Sequence, residues 1–140
     1  MRMEQTALSL APKKRGVHLV TREIVEQLPQ IATFEKGVCH LFLQHTSAAL
    51  SINENADPDV RYDTERFIRH LIPDGWSGFS HRLEGDDDMP AHLKSMIFGA
   101  QLSIPIMDGS LALGTWQGIY LIEARVYGGS RHIVATIWGV

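Results

Sequence analysis

The chain has 140 residues, the size of one domain, and 44% of them are hydrophobic while 21% are charged. This composition is typical of a globular protein and argues against intrinsic disorder. The net charge of −3 disfavours a nucleic-acid partner, and no apolar run approaches the ~20 residues of a membrane helix. The single cysteine, Cys39, excludes an internal disulfide and fits a reducing compartment. We expect one cytoplasmic domain over residues 1–140, with neither nucleic-acid nor membrane partners.

The first third of the chain predicts strands interrupted by one short helix. Thr21 is the expected N-cap of a helix over Arg22–Leu28, which ends before Pro29. A basic turn, Pro12–Gly16, precedes it. Apolar and β-branched residues predict four strands, over Met3–Leu10, His18–Val20, Val38–His45 and Ala48–Asn53.

A longer helix is predicted to begin at Asp57-Pro58 and to end near Leu71. Asp57 would cap it and Pro58 suits the first helical position. The helical period predicts a buried face of Val60, Thr64, Phe67, Ile68 and Leu71. The outer face would carry Arg61, Glu65 and Arg69.

The second half of the chain predicts a long loop, a short helix and hairpins. The loop Pro73–Asp88 exceeds the ~12–15 residues usual for a loop without a function. A helix over Met89–Phe98 follows, and Asp108-Gly109 and Gly128-Gly129 predict hairpin turns. Their strands would be Gln101–Met107, Leu111–Leu113, Thr115–Tyr127 and Arg131–Trp138. Together the elements predict an α+β fold with a mostly antiparallel, sandwich-like core and two or three short helices.

Three of the histidines, His45, His81 and His92, stand in polar surroundings and are candidate metal ligands. His45 would end a strand with its ring turned inward, whereas His81 lies in the long loop and His92 in the short helix. Three neutral imidazoles suffice for a catalytic zinc site that keeps a fourth position for water. Their spacing matches no local metal motif, so the fold would have to bring them together. The alternative is three unrelated histidines.

A phosphate group could bind near the start of the short helix, where unpaired backbone N–H groups attract anions. Lys94, Thr46 and Ser47 are candidate ligands there. The acidic run Asp86–Asp88 opposes an anion unless a cation lies between them. Asp88 would otherwise cap the helix, and Asp86 and Asp87 could orient histidines.

Candidate acid/base and binding residues also lie in two further polar segments. Glu54 is either a general acid/base or part of an exposed turn. Gln117 is a candidate substrate-binding residue, and Glu123 needs Arg125 or Arg131 as a partner if it is buried. The chain contains no G-x-G-x-x-G, Walker A, H-E-x-x-H or G-x-S-x-G motif.

Three long segments resemble the YjbQ-like family, also called the secondary thiamine-phosphate synthase family. They are HTSAALSINENADPDVRYD (45–63), HRLEGDDDMPAHLKSMIFGAQLSIPI (81–106) and DGSLALGTWQGIYLIEAR (108–125). The likeness extends from about Glu4 to the C-terminus. Asp88 departs from the asparagine that many members carry, and it adds a negative charge beside the expected pocket.

The resemblance implies a sandwich-like α+β protomer that assembles as a homotrimer, with polar residues lining pockets near the subunit interfaces. It also implies that His45, His81 and His92 hold a divalent metal ion, zinc. The family is named for a weak thiamine-phosphate synthase activity. That reaction joins a hydroxymethylpyrimidine diphosphate to a thiazole phosphate and releases pyrophosphate.

Our leading hypothesis is a small metal-dependent enzyme that acts on a phosphorylated metabolite. The three histidines would hold the metal ion, Thr46, Ser47, Lys94 and Gln117 would bind substrate, and Glu54 or Asp86 would serve as acid/base. The alternative is a non-catalytic trimer that binds a phosphate-bearing small molecule and has a structural metal site. The sequence leaves open the substrate, the metal, and whether the site is shared between subunits.

Overall fold

A computed structural model describes residues 1–140, which form eight strands, three α-helices and one 3-10 helix. The strands are β1 (Arg2–Leu10), β2 (Gly16–Leu19), β3 (Lys36–Leu43), β4 (Ala48–Glu54), β5 (Gln101–Met107), β6 (Ser110–Leu111), β7 (Gln117–Glu123) and β8 (Arg131–Gly139). The helices are α1 (Thr21–Glu26), α2 (Pro58–Leu71) and α3 (Asp88–Phe98), and the 3-10 helix spans Pro29–Thr33. None of the helices combines the length and hydrophobicity needed to span a membrane.

The strands form two antiparallel sheets, which confirms the predicted α+β class. One sheet has the order β1-β8-β3-β5-β6 and the other the order β2-β7-β4. Alternate residues of both sheets, such as Leu41 in β3 and Leu121 in β7, point into one apolar core and are fully buried. The core therefore lies between the sheets, and the polar segments lie at the ends of the strands.

The predicted hairpin at Gly128-Gly129 is wrong, because the strands on either side of it belong to different sheets. β7 pairs with β2 and β4, whereas β8 pairs with β1 and β3. Strand β7 ends at Glu123, and the chain then crosses to the other sheet. A Cβ at Gly128 would lie 2.2 Å from Glu123 Oε1, so glycine is needed there for close approach and not for a hairpin turn. The other predicted hairpin is confirmed, since Asp108 and Gly109 join β5 to β6 with positive φ angles of 48° and 78°.

Of the two predicted N-caps in the first half of the chain, one is confirmed and the other is wrong. Asp57 caps α2 as predicted, because its Oδ1 accepts a hydrogen bond from Asp59 N at 2.9 Å. Thr21 does not cap α1; it is the first helical residue, and its Oγ1 accepts from Ile119 N of β7 at 2.8 Å. Its hydroxyl therefore ties the helix to the neighbouring sheet.

The predicted buried face of α2 is only partly correct. Ile68 is buried, but Phe67 and Leu71 are 64% and 58% exposed. The supposed outer face is turned toward the basic turn, since the Glu65 carboxylate lies 3.8 Å from Arg15 Nε. Helix α2 packs on β2 at the edge of the smaller sheet, and a helix at an edge can bury only a narrow stripe.

Candidate metal centre

The long loop and helix α3 bring three potential metal ligands together. The loop after α2 carries His81, and α3 carries Asp88 in its first position and His92 one turn later. Residues four apart lie on the same helix face, so Asp88 and His92 are neighbours by local geometry. The ligand atoms of His81, Asp88 and His92 all lie within 4.8 Å of one another.

Asp88 Oδ2 is the centre of this cluster. It lies 2.7 Å from His81 Nε2 and 3.0 Å from His92 Nε2. The aspartate is buried, with 4% exposure, whereas the imidazole of His81 is half exposed. The cluster is therefore buried on the side of Asp88 and open to solvent on the side of His81.

The backbone of Thr46 sets the proton position on His92. His92 Nδ1 lies 2.8 Å from Thr46 O, which can only accept a hydrogen bond, so Nδ1 carries a proton. In the neutral ring Nε2 then presents a lone pair to Asp88 Oδ2. Two acceptors this close require a cation, either a second proton on His92 or a metal ion.

Arg125 holds the other side of the Asp88 carboxylate. Its Nη1 donates to Asp88 Oδ1, and its Nε donates to Asp87 Oδ2 at 2.9 Å. Burial opposes ionisation of Asp88, but the hydrogen bond from His81 and the charges of His92 and Arg125 outweigh it and lower its pKa. Asp88 is thus ionised at neutral pH and suited to a cation.

His45, the third predicted ligand, is not part of the cluster. Strand β3 ends at Leu43, and His45 follows it in the connection to β4. Its Nε2 accepts a hydrogen bond from His132 N at 2.7 Å, and the two rings stack with centroids 5.6 Å apart. Burial, followed by the charge of Arg131, lowers the pKa of His45. The structure therefore groups His81 and His92 with Asp88 instead of His45.

The three predicted phosphate ligands lie in different surroundings, and only the side chain of Ser47 is occupied by a contact within the protein. Ser47 accepts hydrogen bonds at Oγ and at its carbonyl oxygen from Arg131, which also pairs with the fully buried Glu123. Thr46 is exposed, and its carbonyl oxygen orients His92. Lys94 is 1% exposed and lies about 200° around α3 from His92. Burial lowers its pKa.

The two predicted acid/base residues lie in different places. Glu54, the last residue of β4, and Gln117, the first residue of β7, are register partners. Thr46 precedes the opposite end of β4, about 20 Å away at ~3.3 Å per residue. The Gln117 side chain accepts from Gly114 N, and the Glu54 side chain accepts from Asp57 N. Neither is part of the cluster in one protomer.

Asp86, in contrast, borders a small groove beside His81. The groove is lined by Gly75, Trp76, Phe79, His81, Arg82, Gly85 and Asp86. Arg82 is fixed there, because its Nη2 donates to Ser77 O at 2.6 Å and its Nε donates to Phe79 O. A guanidinium and aromatic rings at one edge of the cluster suit an anionic ligand with a planar ring.

Sequence reasoning missed Asp88 and Arg125 as members of the site. The D-x-x-x-H spacing of Asp88 and His92 was a usable signal, since it places both on one helix face. Capping was the competing interpretation of Asp88, and it is wrong: the N-cap position is Asp87, whereas Asp88 is the first helical residue and its carboxylate contacts His81, His92 and Arg125. Arg125 offered no local signal, because its partners lie 37 and 38 residues earlier in the chain.

The fold and the cluster define a class: a small two-sheet α+β protein with a histidine–aspartate candidate metal centre. The profile of the family described as UPF0047 protein YjbQ-like matches residues 6–140. The chain is 50% identical over 135 residues to UPF0047 protein YjbQ of Escherichia coli O157:H7, covering 96% of this chain and 97% of that protein. It is 38% identical over 138 residues to a UPF0047 protein of Synechocystis, covering 99% and 93%. The chain belongs to the YjbQ-like UPF0047 family, which confirms the resemblance.

Solved structures show the same fold. A hypothetical protein from Aeropyrum pernix K1 is 31% identical and superposes with a TM-score of 0.84, covering 98% of this chain and 99% of that one. A YbjQ-like protein of unknown function from Sulfolobus solfataricus P2 is 24% identical with a TM-score of 0.86, covering 99% of both chains. The two-sheet architecture is therefore shared with these archaeal proteins.

Proposed function

We propose that this protein is a small metal-dependent enzyme that acts on a phosphorylated metabolite, with the metal ion held by His81, Asp88 and His92. One observation carries the proposal. Asp88 Oδ2 faces Nε2 of both histidines, while Thr46 O holds the proton of His92 on its other nitrogen. The three ligand atoms thus surround a position that a cation would occupy.

The chemistry of the donors fits zinc. Two imidazole nitrogens and one carboxylate oxygen are the ligands of many catalytic zinc sites, which keep a further position open. The hydrogen bond from His92 to Thr46 and the ion pair from Arg125 to Asp88 would orient two of these ligands. A divalent ion there would supply a Lewis acid for a phosphoryl oxygen or a water molecule.

The groove beside the cluster, with a volume of about 40 Å³, could take one anionic group of a phosphorylated ligand, whose ring would lie outside it against the rim. Arg82 would pair with the anionic group, and Trp76 or Phe79 would contact the ring. Asp86 is the acid/base candidate because it borders the groove. These features suit the pyrimidine and thiazole phosphates of thiamine-phosphate synthesis. We therefore propose thiamine-phosphate synthase activity as the first reaction to assay.

The metal content of untagged protein, purified without chelator, tests the proposal. We expect about one zinc ion per chain in the wild type, and its loss in His92→Ala and His81→Ala. His45→Ala and the exposed-histidine control His70→Ala should keep the ion, since neither residue belongs to the cluster. Loss of the ion in His45→Ala but not in His81→Ala would overturn the ligand assignment.

Enzymatic activity requires a separate measurement, since the protein could bind the metal ion without catalysing a reaction. Wild-type protein should convert the two thiamine precursors, or another phosphorylated metabolite, and His92→Ala should not. Asp86→Asn should keep its metal and lose turnover. Full turnover in folded, metal-free His92→Ala would contradict metal-dependent catalysis.

A second candidate function is a non-catalytic binding protein with a structural metal site. It is favoured by the way the cluster joins the long loop, through His81, to α3, through Asp88 and His92. Chelation would then lower the melting temperature, and a bound phosphorylated ligand would be recovered unchanged after long incubation.

We further propose that the protein assembles as a homotrimer, as the family resemblance implies. Phe67 and Leu71 support an interface, because they lie one helical turn apart on α2 and are both more than half exposed. A trimer could bring Glu54 and Gln117 of one subunit to a neighbour's groove. Sedimentation velocity measures the assembly directly.

A further inference from the structure

A second charged concavity lies away from the metal cluster, between the basic turn and helix α2. It is lined by Lys14, Arg15, Gly16, Val17, His18, Pro58, Arg61, Tyr62 and Glu65. It shares no lining residue with the groove beside His81. We call it the basic cleft.

The basic turn is held in one conformation by its own residues. His18 Nε2 lies 2.6 Å from Lys14 O and donates to it, which closes the turn. Gly16 has a φ of 146°, a backbone conformation that favours glycine. The turn thereby directs Arg15 toward α2, where its Nε lies 3.8 Å from the Glu65 carboxylate.

The acidic residues near the cleft are already paired. Asp74 accepts from both Arg15 Nη1 and Nη2, at 2.6 and 2.9 Å. Glu65 accepts from Arg69 Nε at 2.6 Å, one helical turn further along α2. Neither carboxylate therefore neutralises Arg61.

Arg61 is a partly buried charge in the cleft that has no carboxylate partner. No carboxylate lies within 4.0 Å of it, and its Nη1 is buried without a hydrogen-bond partner. Arg15 Nε is likewise buried and makes no hydrogen bond. A buried donor without a partner costs ~1–3 kcal/mol and more when charged, so such groups in native proteins usually meet an ion, a ligand or water.

We propose that the basic cleft binds a phosphate group, with Arg61 as the principal ligand and Arg15 and Lys14 as supporting cations. The lining carries Lys14, Arg15 and Arg61 against the Glu65 carboxylate, and Asp74 outside the lining pairs with Arg15, so Lys14 and Arg61 are the cations left to meet an anion. A guanidinium matches phosphate with two parallel N–H donors. The exposed Tyr62 ring at the rim offers a surface for an organic group on the phosphate.

Titration calorimetry with inorganic phosphate, in the presence of a chelator, tests this cleft separately from the metal centre. The wild type should bind one phosphate per chain, and Arg61→Gln should weaken binding at least tenfold. The control Arg22→Gln should bind like the wild type, because Arg22 is 92% exposed on α1 and is not part of this lining. His92→Ala should also bind like the wild type.

Three results would overturn the proposal: no saturable binding by the wild type, equal binding by Arg61→Gln, or binding that His92→Ala abolishes. If Arg61→Gln separates the subunits while the wild type binds no phosphate, the cleft contacts a second copy of the chain instead. Should Arg61→Gln fail to fold, Lys14→Gln changes an exposed side chain and should still weaken binding severalfold.

A parallel titration with phenyl phosphate shows whether the cleft prefers a phosphorylated organic molecule or free phosphate. Tighter binding than inorganic phosphate assigns the cleft to a phosphorylated organic molecule whose ring contacts Tyr62. Equal affinity assigns it to free phosphate. Both results support the site, and Tyr62→Ala should abolish any preference for the phenyl ester.

Discussion

Asp88 Oδ2 lies 3.0 Å from His92 Nε2, one helical turn further along α3, and both side chains are held by other parts of the chain. Asp88 is paired with Arg125 from the connection between the sheets, and His92 donates to Thr46 O before β4. The cluster thus depends on two segments that connect the two sheets, one between β3 and β4 and one between β7 and β8. This dependence explains why its ligands can be positioned in a loop-rich region.

Replacing Asp88 by asparagine should weaken zinc binding by at least ~10-fold, since the ligand set loses its only negative charge. Metal competition with a chromophoric chelator measures the change. Asp86→Asn is the matched control and should retain wild-type affinity, because Asp86 is outside the cluster. Equal affinities in the two variants would argue against Asp88 as a ligand.

Replacing Arg131 by methionine should destabilise the fold by about 3–5 kcal/mol, because it leaves the fully buried Glu123 carboxylate without its partner. It also removes the hydrogen bonds to Ser47. Urea unfolding measures the change. The control Arg22→Met, at an exposed position, should lower the free energy of unfolding by less than ~0.5 kcal/mol. An equally small decrease for Arg131→Met would show that the ion pair is not needed for stability.

The Cys39 thiol should be unreactive in the folded protein. Burial raises its pKa to about 11, so the nucleophilic thiolate is scarce at pH 8 and no reagent can reach it. Labelling with iodoacetamide should proceed only after denaturation, as mass spectrometry can show. Rapid labelling of native protein at pH 8 would contradict the burial of Cys39.

His45 should titrate below its ordinary pKa, because burial and Arg131 disfavour the imidazolium. Its Nε2 must also remain an acceptor for His132 N. The unfolded chain therefore binds this proton more tightly than the folded chain, and the stability contributed by neutral His45 decreases as the pH falls through the unfolded pKa.

The pH titration of the His45 ring can be followed by NMR in chelator-treated protein, with the signal assigned by its loss in His45→Gln. The expected midpoint lies below the ordinary histidine value of 6.5. A midpoint above that value would contradict the hydrogen bond from His132 N.

Changing Phe67 and Leu71 together to serine should dissociate the proposed trimer, because both apolar side chains would lose their contact with a neighbour. The monomer should stay folded, since both side chains are largely exposed. Sedimentation velocity reports the assembly, and circular dichroism the fold. An unchanged trimer would place the interface elsewhere.

Several features could be predicted from the sequence because local contacts determine them. Asp57 caps α2 through a residue two positions later, and Asp108-Gly109 forms a two-residue turn between adjacent strands. The family was also recognisable, since its long motifs are contiguous. The α+β class followed from the order of such local patterns.

The site required the tertiary structure because its contacts span long stretches of chain. Asp88 and His92 share a helix face by their spacing alone, but Arg125 reaches Asp88 across 37 residues. His45 lies outside the cluster, where its ring accepts a hydrogen bond from His132 N, 87 residues later in the chain. The sheet to which each of β7 and β8 belongs was likewise decided by pairing with distant strands, which no turn signal encodes.

The sequence by itself determined the fold class, the helix beginning at Asp57-Pro58 and the presence of histidines with ligand chemistry. Only the tertiary structure decided that Asp88 stands where His45 was expected, and that Arg61 faces a cleft without a carboxylate partner. The physical reason is the separation along the chain between the residues that must come into contact. Caps and turns depend on neighbours within about four residues, whereas ligand sets and charge pairing depend on which distant segments the core brings together.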